Sequence, residues 1–195
     1  MESLYLSARV TVLPDGTVVD PKERMTVHLF SYLFNKCIFD GDYYNLVSQE
    51  SPSAQSNLAC DLVVRYATDE GAWQVLCFAE AKRASNQADF KIRILEDQAL
   101  MYCEEFIRAN ENCDMVYAMT LVGTSVRCWR YNRDEGGLQG FWDNEVRGFG
   151  PYLDIGLERN RVTLENSFQH MKTTPTSHMP VGLDHAGIGS TIRRH

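Results

Sequence analysis

The sequence predicts an α/β fold, a central mixed β-sheet built from two hairpins and flanked by helices. Two observations carry this. Residues 59–67 with 73–81, and 115–122 with 126–131, are pairs of β-prone runs, each pair joined by a short turn. Segments of helical periodicity, 22–39 and 88–110, lie before and between the pairs. That alternation within 195 residues fits one domain of ordinary size with short extensions.

In chain order, Leu4 to Val19 reads as two short β-prone runs around the Pro14-Asp15-Gly16 turn. Residues 1–21 therefore form an N-terminal β-prone extension. Pro21 leads into the first helix, where Met25, Leu29, Tyr32, Leu33 and Cys37 recur at spacings of three and four. Asp40-Gly41-Asp42 ends it, and Ser48 to Asn57, rich in Ser, Gln and Pro, reads as a loop. The first hairpin alternates around Leu62, Val64 and Tyr66, then around Val75, Cys77 and Ala79, with Asp69-Glu70-Gly71 as its turn. The long helix carries Leu95, Ala99, Tyr102 and Phe106 along one face.

The second hairpin turns at Gly123-Thr124-Ser125. On its last strand Trp129 and Tyr131 alternate with Cys128 and Arg130, a pattern that either stacks bases or, the preferred expectation, places one face in the core and its arginines in solvent. Phe141-Trp142 and Phe149 to Tyr152 read as a satellite apolar cluster or a partner-binding surface. The rest of the stretch to Leu164 is weakly periodic. From Thr173 onward Thr, Pro, Ser, Gly and His dominate, which predicts a flexible tail. The expected division is 1–21 extension, 22–170 domain with its core at 22–132, and 171–195 tail.

Hydrophobic residues at 44% and charged residues at 23% exclude wholesale disorder and a repeat-dominated fibre. No apolar run approaches the roughly 18–20 residues that span a bilayer, so no membrane partner is expected. Met1 to Val10 lacks a basic region followed by an apolar core, so no secretory signal and an intracellular location are expected. The six cysteines contain no C-x-x-C pair and read as buried free thiols. The five histidines have no metal-site spacing. A net charge of −7 speaks against a protein that coats nucleic acid by bulk charge.

One constellation carries chemistry. A turn centred on Glu70-Gly71 sets Asp61 directly opposite Glu80, with Lys82 two residues on and projecting from the same face. Opposed carboxylates on adjacent strands repel. A Mg²⁺ or Mn²⁺ ion between them removes that penalty, because hard oxygen ligands suit both ions. Lys82 then stands where it can hold a water for in-line attack on a phosphodiester and neutralise developing charge. Gln98 and Tyr102, at i and i+4 on the following helix, can face the same site. Arg83, Lys91 and Arg93 add local positive charge where a phosphate backbone would lie.

Asp61…Glu80-Ala81-Lys82…Gln98-Ala99-Leu100-Met101-Tyr102 resembles the D…(D/E)-x-K…Q-x-x-x-Y pattern of the PD-(D/E)xK nuclease superfamily. It is most similar to the RecB-like branch and to the N-terminal nuclease domains of type I restriction-enzyme motor subunits. Residues 118–123 and 126–131 are similar to the hairpin that follows in that family, and the resemblance spans about residues 22–132. It implies a restriction-endonuclease-like core that hydrolyses DNA, less readily RNA, with Mg²⁺ or Mn²⁺. Asp61 and Glu80 would be metal ligands, Lys82 the catalytic lysine, and the Ala81 carbonyl a further ligand. Gln98 would orient water or the scissile phosphate, and Tyr102 would support it or contact substrate. Glu23 matches an acidic position on the family's first helix, with Glu50 the weaker candidate; a capping or dipole role suits Glu23 equally. Cys60 stands where the family often has proline. Target selection would then come from a protein partner, a second copy or a larger chain. The competing expectation is a catalytically silent module of the same fold that works by binding.

Overall fold

The computed structural model describes residues 1–85, 87–143, 148–174 and 176. A seven-stranded mixed sheet runs through the centre. Its strands are β3 (Tyr44–Glu50), β4 (Cys60–Ala67), β5 (Trp73–Lys82), β6 (Met115–Val122), β7 (Ser125–Asn132) and β8 (Leu138–Gly140) in spatial order, with β9 (Leu153–Asp154) also pairing β7. All neighbours are antiparallel except β5 and β6. A parallel pair cannot be closed by a tight turn, and α3 (Asp89–Ala109) makes the crossover.

The period of two along the strands sorts side chains onto two faces. Leu62, Val64, Cys77, Ala79, Met119 and Leu121 pack with Phe30 and Phe34 of α2 (Glu23–Leu33 and the π-helical turn after it) and with Phe168 and Met171 of α4 (Arg161–Thr173). Val63, Phe78, Val116, Ala118 and Trp129 pack under Ala99, Tyr102, Cys103 and Ile107 of α3. Both faces of β5 and β6 are therefore covered, which is why these strands read as almost continuous apolar runs.

Several elements differ from the sequence expectation. Glu2–Ser7 is a short helix, α1, and only Thr11–Val12 (β1) and Val18–Val19 (β2) pair as a ribbon. Leu4 and Tyr5 pack against the α2/α4 core and Ala8 is fully buried, so tertiary burial overrides the local β-preference. β3 extends into the stretch expected to be a loop. As an edge strand it is at most half-buried and shows no clean alternation. The sheet is thus larger than two hairpins.

The weakly periodic last third contains α4, whose Leu164, Ser167, Phe168 and Met171 are buried at spacings of three and four. Residues 171–173 of the expected tail belong to this helix. Beyond it the Tyr117 hydroxyl donates to the Thr174 carbonyl at 2.9 Å and the Thr176 hydroxyl to the Val75 carbonyl at 2.7 Å. Residues 175 and 177–195 of the expected tail lie outside the described residues. Four of the six cysteines are buried free thiols, while Cys113 is half-buried and Cys37 exposed. No described helix is long and apolar enough to cross a membrane.

Candidate active site

The register that sets Asp61 against Glu80 is made by two local events. The β4–β5 turn closes between Thr68 and Ala72, and its pairs Arg65↔Val75, Tyr66↔Gln74 and Ala67↔Trp73 are one residue off the register that the site needs. A bulge between Val64 and Arg65 shifts the strands, so that Val64↔Cys77, Val63↔Phe78 and Leu62↔Ala79 follow. One step further along, Asp61 faces Glu80. There the Asp61 side chain takes over from the ladder, and its Oδ2 accepts the Ala81 N–H at 2.8 Å. A carboxylate held by the backbone amide between Glu80 and Lys82 is fixed against that segment, with no ion pair of its own among the described residues.

Glu80 is almost fully buried at 5% exposure. Its Oε1 accepts from Lys82 Nζ at 3.1 Å and its Oε2 from the Tyr102 hydroxyl at 3.2 Å. The same hydroxyl lies 3.2 Å from the Ala59 carbonyl, so its one proton is shared between two acceptors. Burial raises the Glu80 carboxyl above the usual range, and the charge of Asp61 raises it further, while Lys82 and the Tyr102 hydrogen bond act against the rise. Tyr102 is pushed far up, by burial first and by Glu80 second, so it remains a donor at any physiological pH.

Lys82 is pinned through its backbone. Its carbonyl accepts from the Thr26 hydroxyl of α2 at 3.0 Å and from the Gly123 N–H at 3.1 Å. Gly123 is required there. Its φ is +60°, and a Cβ would come within 2.6 Å of Ala84 Cβ and 3.0 Å of the Ala8 carbonyl. The β6–β7 turn, α1 and the residues after β5 therefore meet around the lysine. Its ammonium reaches Glu23 on the first turn of α2 at 3.9 Å, which brings Glu23 to the rim of the site through Lys82. Glu50 is engaged elsewhere, in an ion pair with Arg65.

Gln98 lies one turn before Tyr102 on α3, and its buried Oε1 has no hydrogen-bond partner among the described residues. Gln49, on β3 opposite Asp61, is the one described non-glycine residue with positive φ, at 55°. Such strain gathers where a chain is re-aimed at a working site. The basic residues are less concentrated than their sequence proximity implies. Arg83 pairs with Asp20 at 3.3 Å, Lys91 lies 6.0 Å from the Phe90 ring centroid, and Arg93 is exposed.

Across β6 and β7 the same face carries groups that the sequence did not single out. Thr120 is the partner of Glu80 on β6, and Arg127 is the partner of Thr120 on β7. Arg127 is 1% exposed, which corrects the expectation that this strand keeps its arginines in solvent. It pairs with Glu96 of α3 at 3.4 Å and lies over the Trp129 ring at 3.9 Å. The available signal was Thr120 inside an apolar strand, followed by Arg127 and Trp129 two residues apart. Each is a polar or amphipathic group that burial obliges to find a partner.

The donor set suits a hard divalent cation in kind: two carboxylates on adjacent strand ends, one of them raised by burial first and by the neighbouring charge second. Among the described residues no three His, Cys, Asp or Glu side chains gather as a metal cage. Mg²⁺ commonly uses one or two carboxylates and completes its shell with water and substrate phosphate. No protein-family model, curated protein or solved structure matches the chain.

Proposed function

We propose that the protein is a divalent-metal-dependent nuclease with a restriction-endonuclease-like core and a PD-(D/E)xK-type site, acting on the phosphodiester bonds of DNA. The observation that carries this reading is the Asp61 carboxylate seated on the Ala81 amide at 2.8 Å beside a buried Glu80 and its neighbour Lys82. Asp61 and Glu80 would hold Mg²⁺ or Mn²⁺, with the Ala81 carbonyl as a further oxygen. When bound, the ion supplies Lewis-acid polarisation of a phosphoryl oxygen and a more acidic water.

The chain's own groups do the rest. Tyr102 keeps Glu80 oriented through its hydrogen bond. Lys82, its backbone fixed by Thr26 and Gly123, brings one positive charge to a phosphate and can hold the attacking water on its remaining protons. Gln98 offers an amide whose buried oxygen has no partner among the described residues, suited to accept a hydrogen bond from a water and so orient it.

The test is cleavage of single-stranded and duplex DNA in Mg²⁺ and in Mn²⁺. Wild type is expected to cut, and Asp61→Ala, Glu80→Ala and Lys82→Ala each to lose cleavage while melting cooperatively. Wild type that binds DNA but cuts nothing in either metal overturns the reading in favour of a binding module.

A further inference from the structure

Next to the ends of β5 and β6 lies a cavity of about 510 Å³ that the cleavage reading does not use. That is the size of a small-ligand cleft, within the usual span of roughly 300–1,000 Å³. Val122, the β6 partner of Lys82, lines it, as do Ala84 and Gln87 just past the Glu80-Ala81-Lys82 segment. The cavity therefore adjoins the candidate active site.

Its lining is of two kinds. One is cationic: Arg9 and Arg159, both exposed, line it, Arg9 lies 5.3 Å from the Tyr5 ring centroid, and neither has an ion pair among the described residues. Asp154, the acidic residue in the lining, is held by neutral donors of the fold. Its Oδ1 accepts from the Tyr5 hydroxyl at 2.9 Å and the Gly156 N–H at 2.8 Å, and its Oδ2 from the Thr124 hydroxyl at 2.8 Å. In a chain of net charge −7 the lining sets two arginines against one carboxylate, so its balance is positive. The other kind is aromatic. Phe149 stacks on Tyr152 with centroids 5.4 Å apart and planes 18° from parallel. Tyr152 is buried whereas Phe149 is only half-buried, so the outer ring of the stack borders the cavity.

Two guanidinium groups lining one cavity with a half-buried, pre-stacked aromatic ring match the two parts of a nucleotide, phosphate and base. We infer that this cavity takes one unstacked nucleotide of the substrate strand, adjacent to the phosphate at Glu80 and Lys82, with its phosphate on Arg9 and Arg159 and its base on Phe149. A base can reach a protein ring in this way only when it is not stacked in a duplex. The site therefore favours single-stranded ends, flaps or gaps over blunt duplex. The assignment of this nucleotide to a cleavage substrate rests on the nuclease reading.

The test is fluorescence anisotropy of labelled oligonucleotides with the full chain in EDTA, which separates binding from cutting. Four competitors are compared: unlabelled single strand, blunt duplex of the same sequence, a deoxynucleoside monophosphate and inorganic phosphate. Wild type should bind the single strand at least about tenfold more tightly than the duplex. Phe149→Leu should weaken single-strand binding by about tenfold, within the stacking range. Arg9→Ala with Arg159→Ala should weaken it and lower the salt slope by about 0.7, the single-strand value for the one phosphate no longer neutralised. Equal binding of duplex and single strand, unchanged binding by both variants, or displacement by inorganic phosphate as effective as by the oligonucleotide overturns the inference. Wild type that binds as expected yet cleaves nothing in Mg²⁺ or Mn²⁺ leaves the subsite standing and removes the nuclease reading. Cleavage by wild type with variants that bind normally does the reverse.

Discussion

Asp61, Glu80, Thr120 and Arg127 form one row across the sheet beneath α3, and its two ends are built on different terms. At the Arg127 end the buried cation has a buried carboxylate as its partner. Its guanidinium pairs with Glu96 and donates to the Asp143 carbonyl at 2.7 Å. The Trp129 indole N–H donates to the Thr120 hydroxyl at 2.9 Å, and the Tyr152 and Thr120 hydroxyls bond one another at 2.7 Å. The Tyr152 hydroxyl also lies 3.4 Å from Glu96, closing the network. At the other end Glu80 and, at the rim, Glu23 share the Lys82 ammonium, while Asp61 is held by the Ala81 N–H and has no ion pair among the described residues. Two buried polar clusters on one face thus differ in charge balance, and the unbalanced one is where a cation is wanted. A closed network specifies packing, whereas an open one keeps a proton or an ion in play.

The largest expected effect breaks the balanced end. Arg127→Met strands Glu96 in a nearly dry site and should cost about 3–5 kcal/mol, the usual penalty for removing one member of a buried pair. Urea denaturation measures it. Arg127→Met with Glu96→Met removes both charges and should recover most of the loss. If the single variant costs less than about 1 kcal/mol, the network is not what holds α3 on β7, and the contrast between the two ends dissolves.

A smaller effect should appear at the open end on adding metal. At ten times its dissociation constant, Mg²⁺ or Mn²⁺ bound only by the folded protein adds about 1.4 kcal/mol of stability, since a ligand specific to the native state stabilises by RT ln(1 + [L]/Kd). Thermal melts of wild type in EDTA and in excess metal read this directly. The shift should vanish in Asp61→Asn and persist in the paired Arg127→Met and Glu96→Met variant. A shift that survives Asp61→Asn places the ion elsewhere.

The sequence made the open end legible and the closed end obscure, for physical reasons. Asp61, Glu80 and Lys82 lie on two adjacent strands joined by one turn, so counting residues brings them together. That count reached the observed register although the turn itself is offset by one, because the bulge at Val64 and Arg65 compensates. Arg127, Glu96 and Tyr152 come from a strand, a helix and a late loop, 31 residues apart for the first pair and 56 for Glu96 and Tyr152. Nothing local announces such a meeting. The same holds for α4, whose Leu164, Phe168 and Met171 have helical spacing but are set among Asn166, Gln169 and His170. A weak stripe becomes a helix only once the α2 side of the sheet offers Phe34 and Phe39 to cover it.

The smallest effect concerns protons in place of metal. Burial and Asp61 raise the Glu80 carboxyl, so the folded state holds its proton more tightly than the unfolded chain does. Ionised Glu80 therefore costs stability. The cost begins as pH rises past the ordinary carboxylate value of about 4.3, grows until the raised folded value is passed, and is constant above it. Glu80→Gln keeps the shape and the contact with Tyr102 but removes the charge facing Asp61. In EDTA it should be more stable than wild type at pH 7, by about 0.2–1 kcal/mol on the scale of cross-strand charge pairs. At pH 4, where Glu80 is protonated in the folded protein, the two should coincide. Urea denaturation of both proteins at the two pH values measures the difference. If Glu80→Gln is instead less stable at pH 7, Lys82 already balances Glu80, and the charge excess that separates this end of the row from the Arg127 end is absent.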